Sequence, residues 1–121
     1  FGSMLAPALA AGERLNATVV NMRFVKPLDE QLILEVAARH TLLVTVEENA
    51  VAGGAGSGVA ECLARRGVQV PLVHMGLPDV FLEQDSREGM LADCGLDSEG
   101  IIRVVERHYR GRAPLQSLQI N

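Results

Sequence analysis

The chain is expected to fold as a single three-layer α/β domain, a mostly parallel sheet with helices on both faces. Two features point there. Residues 41–46, Thr-Leu-Leu-Val-Thr-Val, form a short β-branched run that does not alternate with polar residues. Such a run suits a strand buried on both sides, as in a parallel sheet covered by helices. Around it, segments of strand and helix character take turns in the order helix–β–α–β–α–β–α–α, which favours right-handed crossovers. The 121 residues are 48% hydrophobic and 21% charged, the make-up of a folded chain long enough for one core burying roughly two-thirds of its unfolded surface.

Near the amino terminus, Leu5 and Leu9 sit four apart in a run of alanine and leucine that predicts a helix. That helix follows Phe1-Gly2-Ser3-Met4 without a signal peptide. The chain is therefore expected to be a fragment, starting at the end of a strand whose beginning is missing. Residues 18–22 read as the next strand by β-branching, and Pro27 breaks the segment because it cannot donate to a ladder. Asp29 can cap the following helix, with Leu28 and Ile33 at staple spacing around it. Leu32, Ile33, Val36, Ala37 and His40 then fall on one helical face, and Arg39 suits the last turn.

The central strand turns polar at Glu47-Glu48-Asn49 and runs into glycines 53, 54, 56 and 58. A helix lined by Val59, Cys62 and Leu63 follows, with Gly67 as its left-handed stop. Residues 68–75 predict a strand that Pro71 confines to an edge or to a start at residue 72. Residues 76–79, Gly-Leu-Pro-Asp, predict the turn leaving it. Ser86 can cap a short helix closed by Gly95, and Asp97 can cap a last helix with Ile101, Ile102, Val105 and Tyr109 on its apolar stripe. The domain is expected over residues 1–109, and residues 110–121 as a tail ordered only if something else holds it.

Composition excludes several function classes. A net charge of −4 and a pI near 5.3 give nucleic acid and anionic lipid no electrostatic hold. Only 3% of residues are aromatic, too few for a base-stacking platform. No apolar run reaches the roughly 18–20 residues of a membrane span. Cys62 and Cys94 stand in no zinc or CxxC spacing and read as reduced cysteines of a cytoplasmic protein.

No catalytic, cofactor-binding or metal-binding set assembles from the residues. The glycine loop invites an anion, since exposed backbone N–H groups at a helix start favour one. Its glycines nevertheless fit no G-x-G-x-x-G register, and Val59-Ala60 stands where a Walker loop needs Lys-Ser/Thr. Two carboxylates, Glu47 and Glu48, also precede it, which opposes phosphate. These neighbours point to opposite faces of a strand, so they cannot jointly serve one cleft. His40, His74 and His108 lie in no metal spacing. Ser57 lies in no nucleophile elbow.

Arg23-Phe24-Val25-Lys26-Pro27-Leu28-Asp29, Thr45-Val46-Glu47-Glu48-Asn49, Gly53-Gly54-Ala55-Gly56-Ser57, Gly76-Leu77-Pro78-Asp79 and Gly95-Leu96-Asp97 together resemble, in residues and in spacing, the carboxy-terminal domain of the 1-deoxy-D-xylulose-5-phosphate synthase family. More distantly they resemble the last domain of transketolases and of the decarboxylating components of 2-oxo acid dehydrogenases. The resemblance covers residues 1–109. It implies a whole enzyme that condenses pyruvate with glyceraldehyde 3-phosphate and releases carbon dioxide, supplying isoprenoid, thiamine and pyridoxal synthesis. It further implies that thiamine diphosphate and Mg²⁺ are held by two preceding domains, that the enzyme is a homodimer, and that this part alone is inactive and binds no cofactor. Arg23, Glu47, Glu48, Asn49, Gly53, Gly54 and Gly56 are then expected at an interface with a neighbouring domain or subunit. The alternatives are the last domain of another thiamine enzyme and a regulatory anion- or nucleotide-binding domain.

Overall fold

The computed structural model describes residues 1–50, 53–78, 87–109 and 119–120. A short 3₁₀ turn, Gly2–Met4, leads into helix α1 (Leu5–Leu15), strand β1 (Thr18–Val19), α2 (Glu30–Arg39) and β2 (Leu43–Ala50). Then come α3 (Ala55–Arg65), β3 (Leu72–Leu77), α4 (Arg87–Asp93), α5 (Ser98–Tyr109) and β4 (Gln119–Ile120). All strand pairings are parallel, in the order β1-β4-β2-β3.

β2 is the axis of the molecule, and its alternation divides the interior in two. Val44 and Val46 face a core with Met4, Ala8 and Ala11 from the amino-terminal helix and Ile101, Ile102 and Val105 from α5. Leu43 faces the opposite core, with Ile33, Val36 and Ala37 of α2 and Val59, Cys62 and Leu63 of α3. Leu43, Val44, Thr45 and Val46 are all fully buried, which is why residues 41–46 carry no polar alternation. Each aliphatic side chain so buried contributes about 1.5–3 kcal/mol.

Local signals place the elements. The Asp29 side chain accepts from the Leu32 N–H at 3.0 Å and starts α2. Asp97 accepts from the Gly100 N–H at 2.7 Å at the start of α5. Gly67, with φ of 67°, closes the end of α3 as the Val68 N–H turns back to the Leu63 carbonyl. β3 starts at residue 72, after Pro71.

Four boundaries differ from the sequence expectation. The strand expected over 18–22 pairs only at Thr18 and Val19. β2 continues through Glu47-Glu48-Asn49, because the Glu47 carboxylate has backbone donors waiting inside the fold. α3 begins at Ala55, so Gly56 and Gly58 belong to the helix and not to a loop. β3 runs on through Gly76 and Leu77, which were expected in the turn. Asp79 and Ser86 lie outside the described residues, as does most of the expected tail. Its residues 119 and 120 pair with both β1 and β2.

Candidate interface at the carboxyl edge of the sheet

In a parallel sheet the loops after the strands gather at one edge, where sites usually lie. Here that edge carries the β2–α3 connection and the long segment between β1 and α2. Its organising group is Glu47, only 2% exposed. The carboxylate lies on the same face of β2 as Leu43 and Thr45 and accepts two backbone bonds from the start of α3. Ala55 N–H donates to Oε1 at 2.9 Å and Gly56 N–H to Oε2 at 2.6 Å. The first N–H groups of any helix lack intrahelical partners and carry the positive end of its dipole. Gly54, at the N-cap, has no side chain to offer them. A strand residue therefore does the work of a cap and ties helix to sheet.

Two further bonds complete the packing. Thr45 Oγ1 is hydrogen-bonded to His74 Nδ1 of β3 at 2.6 Å. Gly56 leaves room for both groups: a Cβ there would stand 2.5 Å from Thr45 Oγ1 and 2.6 Å from His74 Nδ1. Burial pushes the His74 imidazole below the usual histidine range, and the nearby Glu47 charge partly opposes this. The Phe1 N–H donates to the Val46 carbonyl at 2.9 Å.

This arrangement sorts the residues expected at an interface. Glu47 and Gly56 meet one another inside the domain, buried behind the edge. Glu48 points to the other face, half-buried, and accepts from the Ser3 hydroxyl. Asn49 is exposed near the end of β2, Gly53 is exposed and Gly54 half-buried on the β2–α3 connection, and Arg23 is exposed on the segment after β1. Gly53 needs its φ of 73°, whereas Gly54 has φ of −76° and is in a conformation any residue adopts.

The capping by Glu47 was not legible as such. Its available signal was a helix start without Ser, Thr, Asp or Asn at the N-cap, preceded by a glutamate on the core-facing register of a strand. The same geometry bears on anion binding, since an incoming phosphate would meet a carboxylate already holding two N–H groups of α3. Each histidine is tied to its own neighbourhood: His40 to Val36 and Thr18, His74 to Thr45, His108 to Val104. Among the described residues no group of three or more His, Cys, Asp or Glu is arranged to hold a metal ion. Cys62 and Cys94 are free thiols. No helix among these residues is long and apolar enough to cross a membrane.

Residues 1–101 match the family model described as "Transketolase, C-terminal domain". The chain belongs to that family. As a transketolase C-terminal domain, it is 63% identical over 114 residues, 94% of its length, to the 1-deoxy-D-xylulose-5-phosphate synthase of Nitrosococcus oceani. It is 64% identical over 105 residues, 87% of its length, to the synthase of that name from Thioalkalivibrio sulfidiphilus. It spans 18% and 16% of those two relatives, so less than a fifth of each. Among solved structures, a chain described as "Split gene transketolase, inactive beta4 tetramer" superposes with a TM-score of 0.82 at 34% identity, over 93% of this chain and 38% of the other. The α/β class expected from the sequence is the class of this domain family, and the motif resemblance agrees with both comparisons.

Proposed function

We propose that this chain is the carboxy-terminal domain of a 1-deoxy-D-xylulose-5-phosphate synthase, a cytoplasmic homodimeric transferase. The enzyme condenses pyruvate with glyceraldehyde 3-phosphate and releases carbon dioxide. The observation that carries this reading is the identity of 58–64% to synthases of that name over most of the chain. In such an enzyme thiamine diphosphate, with Mg²⁺, supplies the carbanion that makes the new carbon–carbon bond. The residues here do not fit that cofactor: the helix start best suited to a diphosphate is held by Glu47. The domain's contribution is positional. Glu47 and Gly56 fix α3 against the sheet, and Arg23, Glu48, Asn49, Gly53 and Gly54 present the edge to the preceding domains or to the second subunit.

Gly54→Val in the longer enzyme tests this. Within the domain, valine in place of glycine at an N-cap costs about 1 kcal/mol, a shift of roughly 4 °C in melting temperature. At a close interface the added isopropyl group is expected to weaken assembly and lower the rate of 1-deoxy-D-xylulose 5-phosphate formation by about tenfold or more. Thiamine diphosphate affinity is expected to hold. Assembly and turnover equal to the unsubstituted enzyme would remove this edge from the interface.

A further inference from the structure

We propose that the loop of residues 23–27, Arg-Phe-Val-Lys-Pro, is a docking element whose Phe24 ring inserts into an apolar, acid-rimmed pocket on the domain preceding this one in the same polypeptide. The inference rests on the proposed function, because it needs the longer enzyme. Among the described residues the large hydrophobic side chains left exposed are Leu9, Phe24 and Val25. Leu9 stands alone on α1, but Phe24 is 67% exposed and Val25 49%, side by side in one loop. Single exposed apolar residues need no explanation, whereas an adjacent pair that includes an aromatic ring is the composition of an interface anchor. The ring also borders a recess of about 240 Å³, lined by Met22, Arg23, Pro27 and Leu32 among others. A partner could therefore grip it from more than one side.

Charge decides what the partner looks like. Arg23 and Lys26 flank the apolar pair, are exposed, and take part in no ion pair among the described residues. Two cations in a chain of net charge −4 call for carboxylates around the pocket that receives Phe24. Patch size decides the connectivity. Two exposed apolar side chains fall far short of the roughly 800 Å² per partner of a stable interface between separate molecules. A tether changes this, since it raises the effective concentration into the millimolar range. The relatives matched here are more than five times as long as the match, and the family this chain belongs to is described as a C-terminal domain, so the tethered partner precedes it. The Phe1 end of the chain packs in the same core as Met22, beneath the recess. The loop follows β1, at the same carboxyl edge of the sheet as Asn49 and Gly53.

Trypsin tests the proposal on the longer enzyme. It cleaves after Arg23 only when the loop is undocked, and at low protease the rate follows the undocked fraction. Loss of an aromatic anchor is expected to raise that fraction about thirtyfold. Phe24→Ser is therefore expected to be cut at Arg23 about thirtyfold faster than the unsubstituted enzyme, and Leu9→Ser at the unsubstituted rate. Protection should not change on tenfold dilution. Equal cutting of the Phe24→Ser and unsubstituted enzymes would overturn the proposal, as would protection that fades on dilution, which would assign the loop to a second copy. The condensation assay separates the two readings. A longer enzyme that protects Arg23 yet makes no 1-deoxy-D-xylulose 5-phosphate would sink the activity and keep the docking element. Fast cutting in an active enzyme would do the reverse.

Discussion

Glu47→Ala is expected to destabilise the domain by about 2–4 kcal/mol, the combined loss of two bonds from backbone N–H groups to a carboxylate and the stranding of both donors. The Ala55 and Gly56 N–H groups have no other cap, because Gly54 supplies none. The damage should spread along α3, since Val59, Cys62 and Leu63 reach their core only if the helix starts where Glu47 holds it. Urea unfolding would read this as a lower midpoint at unchanged slope. Glu47→Gln, which keeps one acceptor oxygen but turns an NH₂ toward the second donor, should fall between. A loss below about 0.5 kcal/mol for the alanine variant, the range of an ordinary surface substitution, would mean that α3 is held by its apolar face alone.

Gly100→Ala is expected to be at least as damaging, by about 3 kcal/mol or more. Gly100 lies in the first turn of α5, where its N–H is bound by Asp97. A Cβ at that position would stand 1.9 Å from the Gly95 carbonyl oxygen and 2.6 Å from its carbon. These are backbone atoms, at a glycine whose φ of 72° closes α4, so no side-chain rotation relieves the overlap. Either α5 shifts or the α4–α5 turn opens, and both move Leu96, Ile101 and Ile102 out of the core they share with Val44 and Val46. Gly58→Ala is the matched control. Its Cβ would meet only Leu28 Cδ2, at an ordinary 3.6 Å, and alanine gains up to about 1 kcal/mol over glycine in a helix. Thermal melts of the two variants should therefore move in opposite directions. A Gly100→Ala domain that melts with the unsubstituted one would show that the turn has slack.

The contrast between these two glycines illustrates what could and could not be read from the chain. Gly95 and Gly67 are legible as helix stops because a left-handed turn is a local requirement. Asp29 and Asp97 are legible as caps for the same reason. The run of residues 42–46, mostly leucine and valine and without polar alternation, reports burial on both faces of β2, and that is enough for the fold class. Gly100 and Gly56 are different. What excludes a side chain there is contact with Gly95 in one case and with Thr45 and His74 in the other, and neither contact is a property of the flanking residues. Glu47 was visible as a carboxylate beside a glycine run, but its direction depends on where α3 starts. With the helix placed after Gly58 it looks like an exposed interface residue. With the helix at Ala55 it becomes an internal cap. The strand after residue 17 pairs for only two residues because its partners are set by the sheet order, which β-branching cannot report.

Calorimetric titration of the 121-residue chain with thiamine diphosphate and Mg²⁺, followed by addition of pyruvate and glyceraldehyde 3-phosphate, tests the supporting role most directly. The expected result is no saturable heat from the cofactor and no carbon dioxide from the substrates, while the longer enzyme does both. Tight cofactor binding by the chain alone, or turnover without the rest of the polypeptide, would contradict it.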